Sequence, residues 1–597
     1  MKKTSLPKLL VLSLSSLLLL SCGTSSSTSS DVTSYSSATE STTSTSVSAS
    51  IPSFSSTSVP KSGDTSSLSV STSDGSYSSQ GSDLTINSGG TYTFSGQLNG
   101  VIYVDAGDDD EVEIDLNGVT LVSDENSPIY IANASEVKIK AIKDTENIIE
   151  DQRPLKTTED ATQGEGAIYS TCDLKLVGQG SLTVVGSYNN GIHGKDDVKI
   201  KNQTLSVKAP HHAIKGNDSI TIEEGGNFTF ISTGGDGLHT ENSGVSSKGN
   251  QKGDITITAG KVTIYSATDG LDAAHDVIIA SGEDDTGNVT TPSISITTNK
   301  YSSYTEEIIN LSESLSTNES IAYLLGPGGG GGNPGGGGVP GGNPGGGGNS
   351  DKADESAKGI KAGNLVDISA GSIVITAYDD GIHANYGDAL ENGKVGQGDV
   401  NVSGGTLNIQ ASDDGIHADR YLNISGGTHT VSGYEGLEGN QITISGGDSV
   451  VYGTDDGVNA TSGSLSEIYF KATGGNVFIE VSSNGDTDGI DSNGNVYIQG
   501  GHVIACGPNS WMAAALDYEG RASVSSGSLI LIGAAEGTPS TSGVTSSSKS
   551  YSYSANSSYT LTFSSGSTLQ TGKMKYSHSG TTTCWSSLGS LSSITKN

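Results

Sequence analysis

The chain has 597 residues, 84 of them Gly, with 66 acidic against 30 basic residues and a formal charge of −36. Only 32% is apolar, with 7 Phe, 3 Met and 2 Trp, which excludes a helix bundle or a thick globule and leaves a thin core of Val, Ile, Leu and Ala repeated many times. No basic stripe exists to neutralise phosphates, so a nucleic-acid partner is excluded too.

The first segment reads as an address. Lys2, Lys3 and Lys8 precede an apolar run from Leu9 to Leu20, and Ser21-Cys22-Gly23 follows. A basic start and a short apolar stretch ending at small residues predict a secretory signal over 1–21, too short for an ordinary membrane span. Leu19-Leu20-Ser21-Cys22 resembles the bacterial lipoprotein processing box, which implies lipidation of Cys22 and an extracellular, membrane-anchored chain. Residues 22–82 are almost all Ser and Thr and predict a disordered tether. The other cysteines, Cys172, Cys506 and Cys584, are too scattered for a disulfide framework or a metal finger.

Residues 83–144 contain strand runs at Thr91–Phe94, Val101–Val104, Val112–Leu116 and Glu136–Lys140 and predict an N-terminal β cap. A motif then recurs, with Gly, a branched apolar residue, a polar residue and a small one, usually after Asp. Examples are Asp236-Gly237-Leu238-His239, Asp380-Gly381-Ile382-His383-Ala384, Asp414-Gly415-Ile416-His417-Ala418, Asp456-Gly457-Val458-Asn459-Ala460 and Asp488-Gly489-Ile490-Asp491-Ser492. Between copies lie alternating runs such as Leu422-Asn423-Ile424-Ser425-Gly426-Gly427. Three short strands and three turns in about 22 residues predict one coil of a right-handed parallel β-helix, an all-β solenoid, over 83–535. Residues 283–357, Gly/Pro-rich over 326–348, read as a loop insertion. Residues 536–597 read as a closing β cap that protects the last edge.

Stacking turns sequence-distant residues into columns. The apolar residue after Gly points inward, so the next one faces out, in a row of His193, Lys215, His239, Asp272, Lys361, His383, His417, Glu438, Asn459 and Asp491. Lys361, His383, His417 and Glu438, with Tyr421 and Tyr434, are the candidate ligand-binding residues. The preceding corner carries Asp236, Asp269, Asp380, Asp414, Asp456 and Asp488, some doubled by Asp413 or Asp455. Carboxylates about 5 Å apart repel by roughly 3 kcal/mol per pair at an effective dielectric of 20. A bridging Ca²⁺ relieves this, with Asp413/Asp414 and Asp455/Asp456, and Asp488 with Asp491, as the best sites. The competing reading is plain Asp-Gly turn chemistry.

The Asp-Gly-Ile-His/Asp-Ala and Ile-Ser-Gly-Gly repeats, with Gly90-Thr91-Tyr92-Thr93-Phe94-Ser95-Gly96, resemble the clostridial-type cell-surface carbohydrate-binding domain family. That resemblance implies a calcium-binding β-helix similar in fold to polysaccharide lyases, with cellulosic or pectic polysaccharides as partners. Two functions follow, a non-catalytic polysaccharide-binding protein, which is preferred, and a calcium-dependent pectate-type lyase. The lyase needs a base near Ca²⁺, for which Arg420 is the fallback. A third reading is a structural adhesin or spacer.

Overall fold

The computed structural model describes residues 67–298, 356–391, 393–510 and 513–597. The signal segment, Cys22, the tether up to residue 66 and the Gly/Pro tract 326–348 lie outside the described residues. The described chain is all-β, without helix, and most strands join one 40-stranded sheet.

The pattern of pairing follows the repeat. Each coil contributes one strand to each of three parallel ladders. In one coil these are Asn190–Gly194 in the first ladder and Asp197–Ala209, which bends from the second into the third. In the first ladder Ile192 pairs with Ile214, Ile214 with Leu238, Leu238 with Leu271 and Leu271 with Ile360. It continues through Ile382, Ile416, Leu437 and Val458 to Ile490. All ten are fully buried, because period-2 alternation aims every second side chain inward. In the second ladder Val400, Leu422 and Ile442 stack, and in the third Leu205, Phe228 and Val262. Each coil thus buries a handful of aliphatic side chains at roughly 1.5–3 kcal/mol apiece, which is how a chain with so little Phe and Met builds a continuous core.

The Asp-Gly glycines have a packing role. A Cβ on Gly415 would sit 2.2 Å from Val431 Cγ1 and 2.6 Å from the Gly436 carbonyl, and one on Gly381 would meet Ile409 and the Gly415 carbonyl in the same way. The corner is closed against the core, and only hydrogen fits.

Three boundaries differ from expectation. Residues 83–144 are coils, not a cap, since Asp83–Ile86, Ile102–Asp105 and Ile129–Asn133 already pair in parallel in the first ladder. The N-terminal edge is covered instead by Ser69–Thr72, antiparallel to Gly90–Asn99, and by Tyr77–Gln80, antiparallel to Asp83–Ile86. Within 283–357, Ser293–Thr298 belongs to the third ladder with Ile294 and Ile296 buried. The inserted stretch therefore begins after it, and Gly282–Glu283 with Val289–Thr290 form only a small hairpin before it.

The C-terminal residues cover two surfaces. His578–Ser586 adds antiparallel to Ala522–Ile532, so that Trp585 faces Leu529 across the last edge. A small sheet of Tyr559–Phe563, Thr568–Gln570 and Leu591–Lys596 packs Tyr559, Leu561, Phe563 and Met574 onto the outer faces of Phe478, Ile504 and Ile530. Glu480 anchors this unit, accepting hydrogen bonds from the Lys575 and Tyr576 amides at 2.7 and 3.0 Å and lying 3.0 Å from His578 Nε2.

Candidate functional site

The outward row exists as a column of sheet partners, His193–Lys215–His239–Asp272–Lys361–His383–His417–Glu438–Asn459–Asp491. Its upstream continuation has no counterpart in the motif. Tyr103, Tyr130 and Tyr169 run on to His193 in tilted and edge-on ring contacts, with successive centroids 5.7, 5.1 and 5.5 Å apart. These tyrosines lie in coils that lack Asp-Gly, so the repeat motif does not reach them.

The corner carboxylates first serve the backbone. Asp236 Oδ1 accepts the Asp269 N–H at 2.9 Å, Asp269 Oδ1 accepts that of Lys358 at 2.7 Å, and Asp380 Oδ1 accepts that of Asp414 at 3.1 Å. Asp414, Asp456 and Asp488 do the same for Glu435, Asp488 and Ala514, at 3.3, 2.8 and 2.6 Å. Each carboxylate ties its corner to the next coil, so one oxygen is spent on structure and one remains.

The fate of that second oxygen divides the row in two. On the earlier coils it meets a cationic or imidazole nitrogen. Asp236 Oδ2 lies 3.1 Å from His212 Nδ1 and 3.0 Å from His239 Nδ1. Asp269 Oδ2 lies 3.3 Å from Lys361 Nζ. Asp380 Oδ2 lies 2.6 Å from Lys358 Nζ and 2.8 Å from His383 Nδ1, and Asp414 Oδ2 3.1 Å from His417 Nδ1. Burial raises the pKa of Asp236 and of Asp380, but their nitrogen partners outweigh it and hold both well below the usual carboxylate range. Lys361, a predicted sugar contact, is committed to Asp269 and Asp272.

On the later coils the i+3 residue is acidic or neutral. Glu435 is followed by Glu438, Asp456 by Asn459 and Asp488 by Asp491, and among the described residues no Lys, Arg or His forms an ion pair with Asp455, Asp456, Asp488 or Asp491. Burial first, then neighbouring carboxylates, push Asp456 up to about 9, Asp488 to about 7 and Asp491 to about 6. Burial likewise moves Glu435 up to about 7 and Glu438 to about 10. These donors are all carboxylate oxygens, the set a hard cation takes. Of the predicted metal residues, Asp455, Asp456, Asp488 and Asp491 have this character. Asp236, Asp269, Asp380 and Asp414 instead face nitrogen partners.

The remaining predicted residues scatter. Arg420 grips Asp399 bidentately, Nε to Oδ1 at 2.8 Å and Nη2 to Oδ2 at 2.7 Å, with its guanidinium 4.8 Å over the Tyr421 ring. That pairing raises its pKa, the opposite of what a base requires, so Arg420 is a structural pair. Tyr421 lies past the bend in the second ladder, paired with Gln441. Tyr434 sits at the acidic corner, its pKa raised to about 12 by burial and by the hydrogen bond to Asp455. Asp413 offers its carbonyl to the Tyr434 N–H at 2.7 Å. His383, His417 and Glu438 do come together, and with them a residue the repeat did not flag, Asp419, beside a pocket of about 500 Å³ also lined by Tyr386 and Asn440.

A family model described as "Carbohydrate-binding domain-containing protein" matches residues 80–397 and 395–506. The chain belongs to that family. Within it, a relative of the same description from Acetivibrio thermocellus is 36% identical over 129 residues, 21% of this chain and 45% of the relative. The chain thus spans under half of that relative's length. A solved structure, described as the polysaccharide lyase-like protein from C. thermocellum in a gadolinium derivative, is 31% identical, with a TM-score of 0.33, covering 38% of this chain and 85% of that one. In this carbohydrate-binding family member, both the paired half of the row (through Asp414) and the uncompensated half (Asp456 to Asp491) fall inside the matched residues.

Proposed function

We propose that this protein is a polysaccharide-binding protein of the cell surface that uses Ca²⁺ to hold extended cellulosic or pectic chains without cleaving them. The observation that carries the reading is the run Asp455, Asp456, Asp488 and Asp491, in which two adjoining coils place partly buried carboxylates together without a cationic side chain. Ca²⁺, with 6–8 oxygen ligands, fits that donor set, and its open positions suit the hydroxyls and carboxylates of a glycan. The three ladders are read as a right-handed parallel β-helix, the hand that parallel crossovers take, giving a long, rigid face that matches an extended polymer. A density map tracing left-handed coils would overturn that part.

Non-catalytic binding is favoured over a lyase by the engagement of Arg420 with Asp399 and of Lys361 with Asp269 and Asp272, which leaves neither side chain poised as a base. Affinity electrophoresis in gels containing polygalacturonate or a soluble cellulose derivative, with Ca²⁺ or EDTA, tests the proposal. Retardation that needs Ca²⁺ and is lost in Asp456→Asn/Asp488→Asn is the expected result. No retardation would leave the spacer reading, and unsaturated product absorbing in the ultraviolet would replace binding by lyase chemistry. The proposed anchor is a lipid on Cys22, and Cys22→Ala should release the protein from the membrane fraction; retention there would sink the anchor.

A further inference from the structure

We infer that His383, His417 and Asp419 form a second metal site, chemically distinct from the acidic corner, for a divalent first-row transition ion of the Zn²⁺ class. His383 and His417 are direct sheet partners on adjoining coils. Their rings stack 4.2 Å apart and 8° from parallel, so the two imidazoles present the same edge in the same direction.

Both rings are held from behind. His383 Nδ1 lies 2.8 Å from Asp380 Oδ2 and His417 Nδ1 lies 3.1 Å from Asp414 Oδ2. Glu438 Oε2 also approaches His417 Nδ1, at 3.3 Å. Asp380 and Asp414 are themselves buried and fixed by their Oδ1 bonds to the next coil. A carboxylate accepting the Nδ1–H sets the tautomer and leaves Nε2 as the ligand atom, the carboxylate–histidine–metal arrangement of zinc proteins.

The two Nε2 atoms converge on one oxygen. His383 Nε2 and His417 Nε2 lie 3.3 and 3.2 Å from Asp419 Oδ1. Asp419 Oδ2 already accepts the Tyr386 N–H at 2.7 Å, so Oδ1 is the free donor. With both Nδ1 protons given to Asp380 and Asp414, the two Nε2 atoms and Asp419 Oδ1 form a donor set in which a bound cation would replace the protons that otherwise bridge them. Bonds of about 2.0–2.1 Å in a tetrahedral ion place neighbouring ligands about 3.3–3.4 Å apart, and the two N–O separations match this. Two imidazoles and one carboxylate suit Zn²⁺, Co²⁺ or Ni²⁺ rather than Ca²⁺. The side chains of His383 and His417 stay about one-seventh exposed, at 14% and 15%. The adjoining pocket, which His417 and Asp419 line, leaves room for a fourth ligand from water or a bound hydroxyl.

The other histidine cluster differs at the decisive atom. His212 Nδ1 lies 3.0 Å from the Asp236 amide nitrogen and 3.1 Å from Asp236 Oδ2, so it is already engaged in either tautomer, and His239 Nδ1 is divided between Asp236 and Asp272.

Titrating the untagged, metal-stripped full chain with Zn²⁺ by calorimetry, and with Co²⁺ by visible absorption, tests the site. The expected result is one tight equivalent with the intense ligand-field bands of four-coordinate Co²⁺. Binding should fall at least 100-fold in His383→Gln/His417→Gln and in Asp419→Asn, which keeps an acceptor for the Tyr386 N–H. Asp380→Asn should lose about 10-fold through the orienting bond alone. Asp456→Asn should leave Co²⁺ binding unchanged while losing the Ca²⁺ response, separating this inference from the carbohydrate reading. No stoichiometric Co²⁺ spectrum, or one abolished by His212→Gln and untouched by His383→Gln/His417→Gln, would overturn it.

Discussion

Asp456→Asn tests the electrostatics of the acidic corner most directly. Asp456 Oδ1 accepts the Asp488 N–H at 2.8 Å, and an Asn oxygen keeps that bond while removing the charge. In the fold, burial and then Asp491, Asp455 and Glu435 push the carboxyl up to about 9, against the Asp488 N–H. In the unfolded chain it sits near 3.9. Because the folded value is the higher one, the native state keeps a proton that the unfolded chain has lost, and stability falls as pH rises from about 4 to about 9. At pH 7 this is about three pH units, or about 4 kcal/mol, and water reaching the half-buried carboxylate screens it to about 2 kcal/mol. In EDTA the variant should therefore be more stable than wild type by about 2 kcal/mol at pH 7 and nearly equal to it at pH 4. In millimolar Ca²⁺ wild type should gain stability and the variant should gain much less. Burial pulls His239 down but is outweighed by Asp236 and Asp272, which lift it to about 9. Its stabilisation is full below about 6.5 and lost as pH passes 9, so the readout is the difference between variant and wild type. Thermal unfolding at pH 4 to 9, with and without Ca²⁺, measures it. A variant no more stable than wild type at pH 7 in EDTA would refute the reasoning.

Gly415→Ala should cost about 1–3 kcal/mol in chemical denaturation, because the added methyl meets Val431 Cγ1 at 2.2 Å and the Gly436 carbonyl at 2.6 Å in a filled core. A neutral result would mean that the corner can open. Arg153 and Asp151 form a buried pair, Nε to Oδ1 at 2.9 Å and Nη2 to Oδ2 at 2.7 Å. Arg153→Ala should destabilise by about 3–5 kcal/mol by stranding a carboxylate whose burial raises its pKa, and the additional Asp151→Asn should recover part of the loss, as read from denaturation midpoints. Glu480→Ala should loosen the C-terminal sheet before the coils, so hydrogen exchange at Lys575 and Tyr576 should rise while that at Ile442 stays slow; equal protection at all three would contradict the anchoring role.

Much of the architecture was written locally. Alternation in Leu422-Asn423-Ile424 or Ile442-Thr443-Ile444 dictates which side chains face in, and recurrence of the Gly–apolar–polar motif dictates which residues become neighbours even where the spacing varies, 34 residues from His383 to His417 but 21 from His417 to Glu438. The register His383–His417–Glu438 followed from that alone. The Asp-Gly corner was legible as a turn, but the reason for its Gly, a neighbouring Val or Ile methyl inside van der Waals range, belongs to the packed coils.

What the repeat could not specify is how each carboxylate is neutralised. Lys358 reaches Asp380, Lys361 reaches Asp269, and Asp419 meets two histidines from separate coils. These pairings depend on side-chain reach between coils and on a bend inside the strand Ile416–Ile424, neither of which has a local sequence period. The same holds for the C-terminal sheet, whose Tyr559 to Ile594 fold back over Phe478 and Ile504, 55 to 116 residues after them in the chain. Short-range alternation therefore determined the strands and their stacking, whereas the chemistry of the corner was decided where rotamers, insertions and long-range docking placed charge beside charge.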